Sequence, residues 1–341
     1  MDMKKWRLIL FPFALIYGIV IYIRNKCFDW GILKSQKLQI PSVGVGNLAM
    51  GGTGKSILID YLITQFKLKY KIAVLSRGYG RKTSGVQIAN KQSSAVSIGD
   101  EPYQFFKKHK GITVAVAEKR ILGVIRLLKE QPGLEVLFFD DMLQHRAITP
   151  SLMVLTTTYY CPYFKDRLFP VGNLREGKVA ANRAEVVLVT KCPSTLTPQQ
   201  MHDYKLAFQL KPNQHIFFTK LHYNSFIQNK QEKRPLSDLK APFVLVTGIA
   251  DPAPIIGYLK SAGLEFKHLS YPDHHLFTLE DLKRIRRHQN QGFILTTEKD
   301  FTRLGGLAQE RVFYLSVKLE FFESKAETNF KKLVSSALKE N

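Results

Sequence analysis

Hydrophobic residues along the chain fall into short continuous runs that are separated by segments of helical length. The runs that predict strands cover residues 72–76, 113–117, 136–139, 152–156, 186–190, 244–247 and 293–296. Helical patterns lie between many of these runs, as at 120–130 and 198–210. Continuous apolar strands that alternate with helices are typical of a mostly parallel sheet covered on both faces. The pattern therefore predicts an α/β fold.

A polar, charged segment at 224–235 ends in proline and predicts a boundary, after which a smaller α/β unit begins near Ala241. Strand-like runs at 216–223 and 311–319 flank this unit, and we expect them to pair as a connector. Residues 323–338 predict a final helix. The expected organisation is an apolar helix at 1–26, a core at 27–213, a connector strand and linker at 214–235, the smaller domain at 236–310, and a return strand and helix at 311–341.

The most apolar stretch of the chain is residues 8–23. Basic residues flank it on both sides: Lys4, Lys5, Arg7, Arg24 and Lys26. As a helix this run would be about 24 Å long, which is short for a hydrocarbon core of about 30 Å. No small-residue cleavage site follows it, so a signal peptide is disfavoured. We expect a helix that lies in one leaflet with its basic ends on anionic headgroups. The alternatives are a buried N-terminal helix and a spanning helix.

Charge adds one constraint: 50 basic and 28 acidic residues give a net charge of +22. Such a surplus indicates an anionic partner, which could be nucleic acid, anionic lipid or a phosphorylated substrate. Interleaved aromatic and basic motifs are missing, and a nucleic-acid binder would not need the apolar run, so we expect no nucleic-acid partner. The three cysteines are scattered and form neither a disulfide framework nor a metal-ligand spacing, which fits a reducing cytoplasm.

Residues 42–56, SVGVGNLAMGGTGKS, run from an apolar strand through a glycine-rich loop into an apolar helix. The residues expected to hold phosphate are Gly51, Gly52, Thr53, Gly54, Lys55 and Ser56. Glycines allow backbone N–H groups to turn toward one anion, and the free N–H groups of the following helix extend this nest. Lys55 can reach the terminal phosphates, and the Ser56 hydroxyl can bind Mg²⁺. The sequence therefore predicts a nucleoside-triphosphate site.

Two acids, Asp140 and Asp141, end the apolar strand predicted at 136–139. An acid at such a strand end holds the Mg²⁺ shell in phosphate-loop proteins, although a turn or a helix cap would use the same residues. Asp100 and Glu101 occur in the sequence GDEP, where Asp100 is either a helix cap or a carboxylate base for a hydroxyl nucleophile. His274, in YPDHH, could share a proton with a carboxylate of the first domain.

Charged side chains, most of them basic and in glycine-rich or turn contexts, complete the predicted site. The residues expected to clamp substrate or phosphate are Arg77, Glu101, Arg120, His145 and Arg175. An arginine that follows a strand on a loop suits phosphate binding, whereas each one alone is also compatible with a solvated surface residue. Residues 296–300, TTEKD, end a strand and cap a helix, so we interpret them as structural. Asp273 could likewise cap the helix that follows it.

Seven motifs in a fixed order carry a family resemblance: GNLAMGGTGKS, SRGYGRK, GDEP, DDMLQHR, LFPVGNLRE, YPDHH and TTEKD. Together they resemble the tetraacyldisaccharide 4'-kinase family of lipid A biosynthesis, from about residue 42 to 304, and the apolar N-terminal helix is also similar. The family's variant phosphate loop also lacks the early glycine that Ala49 replaces here. Two positions depart from the family pattern, Met142 in place of glycine and Asn173 in place of proline, and both concern loop shape.

The resemblance implies a phosphate-loop kinase core that transfers the ATP γ-phosphate, with Mg²⁺, to the 4'-hydroxyl of a tetraacylated glucosamine disaccharide 1-phosphate. It further implies that Asp100 is the catalytic base, that His274 is its partner, and that Asp140 and Asp141 lie near the metal. The expected location is the cytoplasmic face of the bacterial inner membrane, in contact with its anionic surface and without an obligatory protein partner. The alternatives are a membrane-associated phosphate-loop NTPase switch and a kinase for another lipid.

Overall fold

The computed structural model describes residues 6–239, 243–288, 292–305 and 311–339, and most of its strands join one large sheet. The helices are α1 (Phe11–Asp29), α2 (Lys55–Phe66), α3 (Ala95–Ile98), α4 (Asp100–Lys108), α5 (Arg120–Glu130), α6 (Pro198–Ala207), α7 (Ala253–Ser261), α8 (Leu279–Arg287), α9 (Glu298–Leu304) and α10 (Ser324–Ala337). Short 3₁₀ turns are Arg7–Leu10, Tyr163–Lys165, Lys178–Arg183 and Leu236–Asp238.

The strands are β1 (Gln36–Lys37), β2 (Ser42–Asn47), β3 (Ile72–Ser76), β4 (Gln87–Ile88), β5 (Thr113–Val116), β6 (Val136–Asp140), β7 (Ile148–Thr149), β8 (Leu152–Thr158), β9 (Val186–Thr190), β10 (His215–Gln228), β11 (Lys233–Pro235), β12 (Phe243–Thr247), β13 (Phe266–Ser270), β14 (Ile294–Thr297) and β15 (Val312–Phe321). Their order in the large sheet is β13-β12-β14-β15-β10-β9-β8-β2-β6-β3-β5-β4, with β11 paired to β10. β1 and β7 form a separate parallel pair.

Neighbouring strands are parallel except where β4 pairs with β5, β11 with β10, and β10 with β15. Central strands are apolar along their whole length because helices cover both faces, and every residue of β3, β6 and β9 is buried. Helices α2, α4 and α10 lie on one face of the part of the large sheet that runs from β2 to β9, and α5 lies on the other. The predicted α/β fold with a mostly parallel sheet is confirmed.

The antiparallel pair β10–β15 joins the two halves of the sheet. In its register Thr219 lies opposite Phe321 and Tyr223 lies opposite Val317. The connector pairing expected from the sequence is therefore present. We call strands β2–β9 with their helices the amino-terminal half and β12–β14 with α7–α9 the carboxyl-terminal half. The segment 224–235, predicted as a boundary, forms the end of β10 and the strand β11. The start of the smaller unit, expected near Ala241, lies outside the described residues.

Helix α1 continues from the preceding 3₁₀ turn, so that Arg7–Asp29 is long and apolar enough to cross a membrane by length and composition. Together these 23 residues are about 34 Å long, which exceeds the 24 Å expected from the apolar run alone, since the helix extends into polar residues. Only Ala14 among the residues of α1 is buried. The alternative of a buried N-terminal helix is therefore wrong. Lys4 and Lys5 lie outside the described residues.

Polar contacts fasten α1 to the amino-terminal half at both ends and in the middle. Near the start, Arg7 donates hydrogen bonds to the carbonyl oxygens of Pro170, at 2.7 Å, and Gly172. In the middle, the Tyr17 hydroxyl donates to the carbonyl oxygen of Arg175 at 2.7 Å. Near the end, the Asn25 amide donates to the Glu176 carboxylate at 3.1 Å. The helix therefore lies along the folded core instead of projecting from it.

Candidate active site between the two halves of the sheet

The glycine-rich loop follows β2, which lies between β6 and β8 in the centre of the amino-terminal half. Gly51 and Gly54 have φ angles of 103° and 89°, which strongly favour glycine. Helix α2 begins at Lys55, immediately after this turn, so its free N–H groups face the loop. The Thr190 hydroxyl donates to the carbonyl oxygen of Thr53 at 2.8 Å and fixes the loop from β9. This geometry is the one that an anion nest requires.

Lys55 and Arg175 converge on Asp141. The Lys55 ammonium lies 3.4 Å from Asp141 Oδ1, and Arg175 Nη1 lies 2.9 and 2.8 Å from its two carboxylate oxygens. These two cations hold the pKa of Asp141 below its usual range although burial opposes them. Asp141 has a φ of 53°, uncommon for a residue other than glycine. Its neighbour Met142 is buried in the core, which accounts for a large apolar residue at the position where the family pattern has glycine.

Asp140 lies beside this cluster at the end of β6 and is buried. Its Oδ2 accepts a hydrogen bond from the Ser76 hydroxyl at 3.1 Å, while Oδ1 has no partner among the described residues. Burial, together with the nearby charges of Glu101 and Asp141, raises the pKa of Asp140 to about 7. An unpartnered, buried carboxylate oxygen with a raised pKa is typical of a functional site.

Ser56 and Glu101 are in direct contact on the other side of the loop. The Ser56 hydroxyl donates to Glu101 Oε1 at 2.6 Å, and the Lys299 ammonium of the carboxyl-terminal half donates to the same oxygen at 3.1 Å. Burial opposes ionisation of Glu101, but the charges of Lys299 and Lys55 outweigh it and hold its pKa well below the usual range. Glu101 is therefore anionic at neutral pH and links the two halves.

The oxygen groups around the loop suit Mg²⁺. They are the hydroxyl of Ser56 and the carboxylates of Glu101, Asp140 and Asp141, all hard oxygen donors. In the part of the chain that the structure describes, no three His, Cys, Asp or Glu side chains converge tightly enough to hold an ion alone. This agrees with the usual Mg²⁺ site, where one or two carboxylates act together with phosphates and water. The unpartnered Oδ1 of Asp140 is the clearest free ligand atom.

Asp100 and His274 lie in contact across the two halves. His274 Nδ1 is 3.0 Å from Asp100 Oδ2, and Arg303 Nε donates to the same oxygen at 2.7 Å. Arg303 Nη1 also donates to the carbonyl oxygen of Gly248 and to the carboxylate of Asp300. Burial acts to raise the pKa of Asp100, but the hydrogen bond from His274 and the charge of Arg303 lower it overall. Asp100 is therefore an oriented carboxylate that is ionised at neutral pH.

Close approach of two loops positions this pair. Gly99 has a φ of 90°, and a Cβ there would come within 2.9 Å of the Tyr79 carbonyl oxygen. The Tyr79 ring packs edge-on against the His274 ring at 5.3 Å. His274 itself has a φ of 61°, and such a strained backbone often accompanies function. Glycine at position 99 thus lets the Tyr79 loop pack against the backbone next to Asp100 while the Tyr79 ring contacts His274.

A basic cluster lies near the two acids at the end of β6. Arg120 is buried, and its Nη2 donates to the carbonyl oxygen of Asp140 at 3.1 Å. Burial lowers the pKa of His145 to about 4, and the charges of Arg120, Arg77 and Arg24 act in the same direction. His145 is therefore uncharged at neutral pH, and the positive charges of three arginines from separate elements favour an anion near it. Arg77 is exposed and makes no ion pair within the described ranges.

A cavity of about 200 Å³ opens between the halves beside the loop. Gly54, Ser56 and Lys299 line it beside the loop, and the charged side chains of Asp60, Lys108 and Glu298 also line it. Apolar side chains of the connector and the carboxyl-terminal half line much of the remaining wall. The apolar lining includes Leu221, Tyr223, Leu315, Val317, Ile249 and Ile255. The cavity also reaches Glu101 and Asp273, which are chain neighbours of Asp100 and His274; these two are themselves not among its lining residues. A partly apolar cavity that leads to a phosphate loop suits a nucleoside.

The structure also places three residues that sequence analysis interpreted differently. In TTEKD, Thr297 caps α9 as expected, but Glu298 binds Lys108 at 2.9 Å and Lys299 binds Glu101, so the segment also joins the halves. Asp273 accepts a hydrogen bond from the His274 N–H, and the cap of α8 is Thr278, so the helix-cap interpretation of Asp273 is wrong.

Asn173, the second departure from the family pattern, has its own contacts. Its side-chain oxygen accepts a hydrogen bond from Arg7 at 3.0 Å, and its backbone N–H donates to the Asp166 carboxylate at 3.3 Å. Its carbonyl oxygen accepts from Met50 N in the glycine-rich loop at 2.8 Å. Proline has no N–H and no amide side chain, so Asn173 adds a link from α1 to the phosphate loop.

Comparisons with known proteins agree over nearly the whole chain. A model of the tetraacyldisaccharide-1-P 4'-kinase family matches residues 6–338. The tetraacyldisaccharide 4'-kinase of Flavobacterium johnsoniae is 41% identical over 341 residues, which cover 99% of this chain and 99% of that protein. The corresponding protein of Bacteroides thetaiotaomicron is 41% identical over 317 residues, covering 88% of this chain and 83% of its own. The crystal structure of LpxK from Aquifex aeolicus in complex with ATP has a TM-score of 0.78 at 31% identity, covering 98% of this chain and 99% of its own.

Proposed function

The chain belongs to the tetraacyldisaccharide-1-phosphate 4'-kinase family and is an ATP-dependent kinase of lipid A biosynthesis, and we propose that Asp100 accepts the proton of the 4'-hydroxyl. The observation that carries this role is the contact of Asp100 with His274 and Arg303. Glu101, the chain neighbour of Asp100, contacts Ser56 at the end of the phosphate loop. His274 and Arg303 hold the carboxylate of Asp100 ionised and pointing in one direction, as a general base requires. His274 orients the carboxylate of Asp100 and stabilises the proton that Asp100 accepts.

The loop amides and Lys55 would bind the phosphates. The ammonium of Lys55 would then contact the terminal phosphates instead of Asp141. Ser56, Asp140 and Asp141 would hold Mg²⁺, which when bound supplies positive charge to the transferring phosphoryl group. Arg175 and Arg120 keep the two acids oriented through their contacts with Asp141 and with the backbone of Asp140. Catalysis then consists mainly of positioning and electrostatic stabilisation, as is usual for phosphoryl transfer.

Binding of the disaccharide is assigned to the basic cluster of Arg77, Arg120 and His145. Its charge suits the anionic headgroup of a lipid A precursor bearing a 1-phosphate. The charge of Arg24 on α1 also acts on His145, so this cluster lies near α1. The acceptor would therefore bind where the membrane-facing helix meets the kinase core. The cavity of about 200 Å³ beside Gly54 and Ser56 is then left for the nucleoside of ATP.

The proposed location is the cytoplasmic surface of the inner membrane, where ATP and the lipid acceptor are both available. A helix that is fastened to the core at Arg7, Tyr17 and Asn25 cannot cross a bilayer unless the core enters the bilayer with it. These contacts support a helix that lies in one leaflet, with its exposed apolar residues in the acyl region and its basic residues at the headgroups.

The direct test combines purified protein, ATP labelled at the γ-phosphate and the tetraacyl disaccharide 1-phosphate in detergent. We expect label to appear in the lipid and none in a reaction that contains Asp100→Ala. Release of labelled inorganic phosphate without a labelled lipid would favour the NTPase switch instead. Labelling of a different lipid, but not of the disaccharide, would favour the kinase for another lipid.

A further inference from the structure

Helix α5 carries an apolar stripe on its outer face. Leu122, Ile125 and Leu128 recur at every third position and are 49%, 58% and 42% exposed. The inner face of the same helix is already filled, because Val124 and Leu127 are buried in the core of the amino-terminal half. A soluble surface helix normally turns polar residues outward. No described residue covers the outer stripe, and an uncovered apolar stripe is typical of an interaction surface.

The charges next to this stripe favour an anionic surface. Lys129 and Arg126 are exposed on α5, and Lys119 precedes its first residue. Lys129 is four residues after Ile125 and seven after Leu122, so it lies on the same face. Of the nearby acids, Glu130 is paired with Arg126 at 2.6 Å and Glu118 is paired with Arg81. Long basic side chains around exposed leucine and isoleucine are typical of helices that lie in a membrane interface.

The position of α5 relative to the site points to the same surface. Its first residue, Arg120, contacts Asp140, and its charge acts on His145 together with that of Arg24 on α1. The basic cluster thus lies between the start of α5 and the exposed helix α1. A lipid whose acyl chains stay in the bilayer can present its sugar to this cluster only if the surrounding protein surface faces the membrane. Two apolar helices on either side of the entrance would hold the site in that orientation.

From these observations we propose that the outer face of α5, formed by Leu122, Ile125 and Leu128 with Lys119, Arg126 and Lys129, is a second membrane contact that binds an anionic bilayer beside α1. The proposal rests on the proposed lipid-kinase function. It assigns α1 the role of an anchor and α5 the role of fixing the rotation of the core about that anchor. A single helix lying in the leaflet would leave this rotation free, whereas two contacts define which face of the core meets the lipid.

The depth of α5 can be measured without turnover. A bimane fluorophore would be attached to Ile125→Cys in a full-length chain in which the exposed Cys161 and the half-buried Cys27 are replaced by serine. The probe is added to vesicles of phosphatidylcholine and phosphatidylglycerol, with and without lipids brominated near the headgroup end of their acyl chains. We expect at least half of the fluorescence to be quenched. The same label at Leu279→Cys, an exposed position on α8, serves as the control and should not be quenched. Equal quenching at both sites, or none at 125, would overturn the proposal.

Turnover separates this proposal from the kinase function itself. The variant Leu122→Gln/Ile125→Gln/Leu128→Gln should phosphorylate detergent-dispersed disaccharide within about twofold of the wild type, but vesicle-borne disaccharide about tenfold more slowly. The matched control Leu68→Gln/Leu276→Gln/Leu279→Gln changes three exposed leucines elsewhere and should resemble the wild type in both assays. An equal loss in both assays by the α5 variant would contradict a membrane role. If the wild type does not phosphorylate the disaccharide in detergent, the proposed function is wrong. The quenching experiment does not depend on turnover and would still test the membrane contact.

The competing occupant is a second copy of the chain. Sedimentation velocity in detergent distinguishes it, because a dimer formed through the stripe would become a monomer in the triple glutamine variant. We expect the wild type and this variant to sediment alike. A dimer that is lost on substitution would overturn the membrane contact and assign α5 to an interface between copies.

Discussion

The guanidinium of Arg303 is completely buried and donates a hydrogen bond to the carboxylate of Asp100, 203 positions away in the sequence, at 2.7 Å. Arg303 comes from α9 in the carboxyl-terminal half, and Asp100 opens α4 in the amino-terminal half. The orientation and charge of the proposed base therefore depend on contact between the halves. Any motion that separated them would release Asp100 from both Arg303 and His274, so domain closure and base activation would be coupled.

Replacement of Asp100 tests its role as the base. Asp100→Asn keeps the size of the side chain and its ability to accept a hydrogen bond but removes the negative charge. We expect kcat to fall by about 10² to 10⁴-fold, the usual contribution of a general base, with little change in the affinity for ATP. Steady-state kinetics and a binding titration with a fluorescent ATP analogue would measure the two effects. Near-normal turnover would remove Asp100 from the reaction.

Replacement of Arg303 tests whether it positions Asp100. Arg303→Lys keeps the buried charge but loses the hydrogen bond from Nε, which helps to hold the pKa of Asp100 down. We expect kcat to fall about tenfold at neutral pH, and the acid limb of the profile of kcat/KM against pH to move to higher pH. Arg287→Lys, an exposed change on α8, is the control. A loss of activity without any shift of the acid limb would indicate a purely structural role.

The strands and helices could be predicted well because their signals are local. The predicted bounds 120–130 and 186–190 are those of α5 and β9. Both depend on the spacing of apolar residues and on turn residues, which are visible within a few positions of the sequence. The length of α1 was underestimated because its last turn is polar and is stabilised by contacts with the core instead of by its own composition.

Sequence analysis predicted site residues only where they occur in a recognisable motif. Glycine, lysine and acid motifs predicted roles for Lys55, Asp140 and Asp100. Arg303 and Lys299 carry no such signal, because their partners come from the other half of the sheet. One local hint was available for Arg303. It follows Asp300 by three residues on α9, a spacing that places an acid and an arginine side by side on one helix face.

His145 should make the stability of the protein depend on pH. Its pKa is lowered to about 4 in the folded protein, against about 6.5 in an unfolded chain. Stability is therefore complete above pH 6.5 and is lost as the pH falls from 6.5 toward 4, because the unfolded state binds the proton first. We expect His145→Gln to reduce the fall in the free energy of unfolding between pH 7 and pH 5 by about 2 kcal/mol. Urea titrations in mild detergent at the two pH values would measure it, and identical falls in both proteins would contradict the assignment.

Phe330 should be a main support of the C-terminal helix. Its ring is fully buried and packs against Phe217 at 5.5 Å, Phe321 at 5.3 Å and Tyr61 at 6.2 Å, so that it joins α10 to both connector strands and to α2. Phe330→Ala removes this ring and leaves a cavity, which costs about 3–5 kcal/mol of stability. Thermal unfolding followed by circular dichroism should show a clear fall in the midpoint. The exposed change Lys332→Ala on the same helix should leave it within a degree or two, and a similar effect of both changes would refute the packing argument.

Asp140 should release a proton when the magnesium–nucleotide complex binds. Burial raises its pKa to about 7, so that at pH 7 about half of the molecules hold the proton, which a cation ligand must lose. Titration calorimetry with preformed magnesium complex of a non-hydrolysable ATP analogue, in two buffers of different ionisation enthalpy, would count the protons. We expect about half a proton at pH 7, and weaker binding as the pH falls below 7 because protonated Asp140 competes with the cation. Asp140→Asn should abolish the release. Ser76→Ala removes a hydrogen bond that lowers the pKa of Asp140, so it should keep or increase the release. An unchanged release in the asparagine variant would assign the proton to another group and leave Asp140 without a role in binding the metal.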